Sequence, residues 1–217
     1  MTFVKHRLNV RGYTLVEIGI VLVIAGLMMG LALKQFGLFD TVKAADTIKL
    51  IQDIASAAQQ FRQQYGYLPG DLPSAKNNFA SLSAACDMTT ATQPKIGNGA
   101  LDTAQEAVCA IEELARAELI RATEFTKIEV KYACAKTNCV DLFGATYARS
   151  VSASYPLMPT SIRNVIALYN LPCQIAMEIE LKYDDNNLAT GNYRASVSSC
   201  VPGTTNDPVP IFLAPLV

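Results

Sequence analysis

Arg11-Gly12-Tyr13-Thr14-Leu15-Val16-Glu17-Ile18-Gly19-Ile20-Val21-Leu22-Val23-Ile24-Ala25-Gly26-Leu27-Met28-Met29-Gly30-Leu31-Ala32-Leu33 sets the reading of the whole chain. A short basic head is followed by a glycine, then an apolar run interrupted by one carboxylate. At 1.5 Å per helical residue, about 20 residues cross a bilayer core of about 30 Å. Tyr13 to Leu33 is about that long, and Glu17 is its one acid. An ionised carboxylate costs on the order of 2.5–3.5 kcal/mol at the centre of a bilayer, and less near its surface. Such a group needs a counter-charge. The positions one turn on are Ile20 and Val21, and no Lys or Arg follows until Lys34. The counter-charge is therefore expected from another molecule.

The string Gly12-Tyr13-Thr14-Leu15-Val16-Glu17, running straight into the apolar segment, closely resembles the type IV prepilin signal. The resemblance implies that a prepilin peptidase cuts between Gly12 and Tyr13 on the cytoplasmic side. It also implies that the new terminus at Tyr13 is N-methylated and that Glu17 is used in assembly. Tyr stands where Phe is usual and still offers a methylatable amine. That amine on one copy would neutralise Glu17 on its neighbour. The simpler alternative is a signal anchor that happens to carry a glutamate. A secretory signal peptide fits worse, because its apolar region is about 7–15 residues long and ends in a small-residue cleavage site. Here Lys34-Gln35-Phe36 follows the run, with no Ala-x-Ala and no lipobox cysteine.

The 217 residues suffice for one anchor and one modest domain, with 18 basic and 19 acidic side chains. The leader holds Lys5, Arg7 and Arg11 and no acid, so the mature chain would carry a net charge of about −4. That leaves no basic footprint for nucleic acid. A basic leader before an apolar helix places the N-terminus in the cytoplasm and the bulk of the chain across the inner membrane. His6 is the chain's one histidine and lies in the leader. A processed chain would lack every histidine-based triad, general base or metal ligand. No catalytic residue and no cofactor is expected.

From Lys34 to Tyr65 the helix should continue as an amphipathic rod. Ala44, Ile48, Ile51, Ala55 and Ala58 recur at three- and four-residue steps, with Lys43, Asp46, Lys49 and Asp53 on the opposite face. Gly66-Tyr67-Leu68-Pro69-Gly70-Asp71-Leu72-Pro73 ends the rod. Residues 74–102 read as mostly irregular. Ile96-Gly97-Asn98-Gly99 is turn chemistry rather than a phosphate loop, since no Gly-Lys-Ser/Thr follows. Thr103 and Glu106 have capping-box spacing and open a helix expected to reach Arg121. Val108, Ile111, Leu114, Ala115 and Leu119 form its expected buried stripe. Adjacent Glu112 and Glu113 point about 100° apart on such a helix and read as a solvated face.

Lys127–Tyr132 alternates like a strand, and Val140–Ala153 is strand-like in composition. Together they suggest an antiparallel hairpin or meander lying on the apolar face of the rod. Residues 161–171 read as a short helix stopping before Pro172. Cys173–Tyr183 fits a strand by alternation of Ile175, Met177, Ile179 and Leu181, and a helix by its resemblance to certain prepilin-type proteins; helix is preferred. Those proteins also share the Leu-Pro-Gly-Asp loop, a helix ending like Leu114–Ile120, and a Lys-x-Asp-Asp turn like Lys182–Asp185. Tyr193–Val201 is a candidate final strand, and the Pro-rich tail from Pro202 should lie extended. Asp184, Asp185, Asn186 and Asn187 make an oxygen-rich turn. Calcium takes six to eight oxygens. The spacing is no EF-hand, so a plain acidic turn is expected, with calcium at Asp184 and Asp185 the lesser alternative.

Cys86, Cys109, Cys134, Cys139, Cys173 and Cys200 all fall in the exported part, which reads as disulfides in an oxidising compartment. Neither Cys-x-x-Cys pairs nor histidines favour a metal. Of 15 connectivities, nearest-neighbour pairing is expected: Cys86–Cys109, Cys134–Cys139 and Cys173–Cys200. The last would match the C-terminal disulfide loop that the pilin resemblance implies.

The resemblance implies an α+β pilin fold. A long N-terminal helix would pack on a small antiparallel sheet with extra helices and disulfides. The expected parts are a leader at 1–12, a transmembrane helix at 13–36, its amphipathic continuation at 37–65 and a periplasmic or extracellular head at 66–217. The implied partners are copies of itself, other pilins, the prepilin peptidase, the inner-membrane assembly platform and membrane lipid. The length is large for a major pilin, and Glu17 argues against a filament tip. A minor or atypical pilin is expected, with a type II secretion pseudopilin or a membrane-anchored periplasmic binding domain or enzyme as the alternatives.

Overall fold

A computed structural model of the chain describes residues 14–121, 140–204 and 207–216, with side chains described outside 29–40. The chain divides into two units between Phe39 and Asp40. Helix α1 runs from Leu15 to Tyr65. In the first unit every described side chain, Thr14 to Met28, is exposed. Among the described residues no helix is long and apolar enough to cross a membrane. The expected span at 13–36 includes Tyr13 and side chains from position 29 on that lie outside the described residues.

In the second unit the α1 residues bury one stripe. Ala44, Ile48, Ile51, Ile54, Ala57, Ala58 and Phe61 are all within 3% of full burial, while Asp46, Lys49 and Asp53 are exposed. The stripe follows the expected period, with Ala55 at its edge. The helix stops at Gly66, whose N–H returns to the Arg62 carbonyl at 2.9 Å.

Helix α2 (Ala104–Arg116), strand β1 (Val140–Gly144), helix α3 (Ala145–Val151), strand β2 (Asn164–Leu171), helix α4 (Cys173–Tyr183), strand β3 (Arg194–Ala195) and strand β4 (Val209–Pro215) follow, with two short 3-10 turns before α2. The strands form one antiparallel sheet in the order β1-β2-β4-β3. Val140, Leu142, Ile166, Leu168, Phe212 and Ala214 face one way and share a buried cluster with the α1 stripe, α2 and α4. Phe143, Val165, Ala167 and Leu213 face the other way and are covered by Ala148 of α3 and by Met158. The architecture is therefore α+β with a small antiparallel sheet.

Several expectations need correction. Residues 164–171 are a strand, not part of a helix. β2 lies between two neighbours with both faces covered, so its apolar run lacks the alternation that marks a half-exposed strand. The expected strand at 140–153 stops at Gly144, and Ala145–Val151 is α3. The expected strand at 193–201 shrinks to Arg194–Ala195. The tail is more than extended: β4 is an inner strand between β2 and β3. Pro210 has no N–H to give, and the β2–β4 pairing passes from Tyr169–Ile211 to Leu171–Val209. Opposite it, Asn170 takes a left-handed φ of 55°.

Helix α2 ends at Arg116, five residues early, where Glu118 turns left-handed at φ 59°. Its stripe contains Ile111 and Leu114, but Val108 is 54% exposed. The helix reading of 173–183 is correct: Ile175, Ala176, Ile179 and Glu180 are buried, while Met177 and Leu181 are exposed. The expected strand at Lys127–Tyr132 and the Cys134–Cys139 pair lie outside the described residues.

Phe61 is fully buried, with Tyr65 and Phe79 at ring distances of 4.6 and 6.1 Å. Phe61→Ala should cost about 3–5 kcal/mol in urea unfolding, and Val108→Ala within about 0.5 kcal/mol of nothing. An equal loss for both would contradict the α2 orientation.

Candidate functional site

Gly12 and Tyr13, the expected processing and methylation residues, lie outside the described residues. The site begins at Thr14. Its Oγ1 accepts the Glu17 N–H at 3.3 Å, and Glu17 Oε2 receives the Thr14 N–H and hydroxyl at 3.4 and 3.5 Å. Thr14-x-x-Glu17 thus has the reciprocal form of a capping box. The sequence carries this spacing openly, but a search for charged partners at i+3 and i+4 passes over a neutral one at i−3. Both long contacts to Thr14 use a single carboxylate oxygen, Oε2. Around Glu17, Leu15 is 93% exposed, and Val16, Ile18, Ile20 and Val21 are exposed too. The arrangement is one anion, held at the first turn of a helix, on an otherwise apolar surface. A helix N-terminus favours a negative charge there.

The other carboxylates that the sequence singles out have a different use. Glu112 and Glu113 are not on a solvated face; both are buried. Glu112 accepts the Ser83 N–H at 2.8 Å and its hydroxyl at 2.7 Å, and Glu113 accepts the Gly70 N–H at 2.7 Å. Each acid trades solvation for backbone donors in the loops that follow α1. Gly70 makes this possible: at φ 83°, a Cβ there would lie 2.2 Å from the Glu106 carbonyl. Next to it Asp71, fully buried, takes the N–H groups of Gly97 and Gly99 at 2.5 and 2.6 Å. The Gly97-Asn98-Gly99 turn therefore does bind an anion, and that anion is the chain's own side chain. Glu106 completes the expected capping box by accepting from Thr103 at 3.0 Å and from Asp102 at 2.6 Å.

Burial pushes the Glu113 carboxyl up to about 8; the Gly70 N–H opposes the shift, and the neighbouring charges of Asp71 and Glu112 add to it. Burial raises Asp71 and Glu106 as well, against the N–H groups each accepts. Asp71, Glu112 and Glu113 join distant segments of the chain, a role that no local sequence signal announces, whereas that of Glu106 is announced by its spacing from Thr103.

Two of the expected disulfides are formed. Cys86–Cys109 ties the 3-10 turn at Ala84–Cys86 to α2, and Cys173–Cys200 ties the start of α4 to the segment before β4. At the end of α4, Asp184 Oδ2 accepts the Asn192 and Tyr193 N–H groups, both at 2.7 Å. Asp185 accepts from Asn187 at 3.0 Å and from the Thr190 hydroxyl at 2.6 Å. Glu180, which the sequence reading did not single out, lies with them: one carboxylate oxygen of each falls within 4.8 Å of the others. Among the described residues these three form the one group of carboxylates close enough together to offer a metal several oxygens.

Glu113 generates a pH dependence with a definite sign. Its folded-state carboxyl holds a proton more tightly than the unfolded one, whose ordinary value is 4.5. The unfolded chain releases that proton first, so stability falls as pH rises from 4.5 to about 8 and levels off above. Glu113→Gln keeps an acceptor for Gly70 and removes this charge. Urea midpoints measured across that interval should show a shallower fall for the variant. An unchanged slope would mean Glu113 is ionised in the folded chain throughout.

Compared with models of known families, with curated proteins and with solved structures, the chain matches none.

Proposed function

We propose that this chain is a structural subunit of a type IV pilus-like filament, a minor or atypical pilin. A prepilin peptidase would process it between Gly12 and Tyr13, and Tyr13 would be N-methylated. The carrying observation is the lone Glu17 carboxylate at the first turn of a helix, capped by Thr14 and otherwise flanked by the exposed apolar side chains of Leu15, Val16, Ile18, Ile20 and Val21. An exposed apolar surface of this kind is stable only in lipid or against other apolar surface. In the proposed cycle it rests in the inner membrane first, then against copies of the same helix in a filament. The N-terminal amine of one subunit neutralises Glu17 of the next, which fixes the stagger between them. The residues from Asp40 on supply a disulfide-tied head outside the membrane.

The capping box makes the charge separable from the helix start. Gln serves at the third helical position of a capping box as Glu does. Glu17→Gln therefore keeps the cap and removes the charge. The variant should be cleaved normally and enter filaments at least about tenfold less than the parent, the factor that corresponds to 1.4 kcal/mol. Incorporation equal to the parent's, scored in sheared filament fractions, would sink charge matching as the assembly device.

A further inference from the structure

The Gly97-Asn98-Gly99 turn holds the one Asn-Gly pair in the chain. In such a pair the glycine nitrogen can attack the asparagine side-chain carbonyl and close a cyclic imide, because glycine has no side chain to block the approach. Water then opens the imide to aspartate or isoaspartate. In an unfolded chain the step waits on loss of the glycine amide proton, and hydroxide is the base that removes it.

Three contacts at this turn meet the needs of that reaction. The Gly99 N–H donates to Asp71 Oδ2 at 2.6 Å, which sets a carboxylate base on the proton that must leave. Asn98 Oδ1 accepts the Ala100 N–H at 2.7 Å, so a donor already points at the oxygen on which negative charge grows. Asn98 Nδ2 donates to Asp102 Oδ2 at 2.9 Å. An N–H can only donate and an ionised carboxylate can only accept, so these two partners fix which way the amide faces. Asn98 is exposed, which leaves a path for water to enter and ammonia to depart.

The environment of Asp71 strengthens it as a base. Burial raises its carboxyl above the usual range, against the N–H groups of Gly99, Gly97 and Asn98, and the Asp102 charge adds to the rise. Glu106 and Glu113 are the other acids that sense Asp71. On the opposite side, Arg163 Nη1 lies 3.8 Å from where a Cβ on Gly99 would stand.

We propose that Asn98 is a self-modification site, at which Asp71 takes the Gly99 amide proton and the Gly99 nitrogen closes on Asn98 Cγ. A bond forms between Gly99 N and Asn98 Cγ, and the bond from Cγ to Nδ2 breaks. Nδ2 leaves as ammonia, carrying a proton that returns from Asp71 through water. One water then adds to either imide carbonyl and gives aspartate or isoaspartate, with no change of oxidation state. The new carboxylate faces Asp102 where the amide used to donate, so the turn loses a hydrogen bond and gains a repulsion. The loop between α1 and α2 thus carries a slow, one-way change of charge.

The test is incubation of the full chain in detergent, folded and in urea, followed by peptide mapping that counts aspartate and isoaspartate at position 98. In urea the rate should rise about tenfold per pH unit, because hydroxide is the base. At mildly acid pH the folded chain should react at least about tenfold faster than the unfolded one, and its rate should level off once Asp71 is ionised. Asp71→Asn should return both the rate and its pH dependence to those seen in urea. Should that variant fail to fold, the pH profile of the parent decides. A folded parent that reacts no faster than the unfolded chain, or that keeps the tenfold slope, would overturn the proposal and make these hydrogen bonds a lock on Asn98. Folded Asp71→Asn reacting at the parent's rate would overturn it equally.

Discussion

The described residues from Asp40 onward are arranged around one stripe of side chains on α1: Ala44, Ile48, Ile51, Ile54, Ala58 and Phe61. An amphipathic helix has no stability in water without a cover for that stripe. The sheet supplies it. Leu142, Ile166, Leu168, Phe212 and Ala214 present one continuous apolar face, set by the antiparallel register, and α2 and α4 close the sides. The sheet's other face needs its own cover, which α3 and the segment through Met158 provide. Two cystines fasten loops and helix ends to this core. In the chain-entropy model, loops of 23 and 27 residues are worth on the order of 3 kcal/mol each.

The second organising feature is the use of carboxylates as acceptors for loop backbone. The segment between α1 and α2 is long, irregular and mostly without strand or helix partners. Its N–H groups still need acceptors. Asp71, Glu112 and Glu113 provide them at Gly97, Gly99, Ser83 and Gly70. The arrangement gives the loop a defined path at the cost of burying acids, and that cost appears as the raised carboxyl of Glu113.

How much of this was legible in the sequence depends on whether a signal is local. The rod, its stop at Gly66 and the capping box at Thr103 follow from short-range spacing, whereas the pairing of Cys86 with Cys109 and of Cys173 with Cys200 follows only from nearest-neighbour order and, for the second, from the pilin resemblance. The helix at α4 was legible only in part, because Ile175 and Ile179 satisfy both a two-residue and a four-residue period. β2 and β4 were not legible as inner strands. Burial on both faces removes the alternation from β2, and two prolines disguise β4. The burial of Glu112 and Glu113 depends on loops 29 and 43 residues away, which no helical wheel contains. Glu180 lies one helical turn before the acidic pair Asp184 and Asp185, and its burial depends on packing that the local pattern does not show. At the first turn of α1 the cap is carried by the local Thr14–Glu17 spacing.

The functional account turns on what happens at Tyr13. Among the described residues Glu17 has a neutral partner in Thr14 and no charged one. Its proposed partner exists only if the chain is cut to expose a new amine. Mass spectrometry of the chain's N-terminus, from cells expressing it with its own peptidase, therefore tests the central claim most directly. The account predicts a mature terminus beginning at N-methyl-Tyr13. A chain that retains Met1 would contradict it.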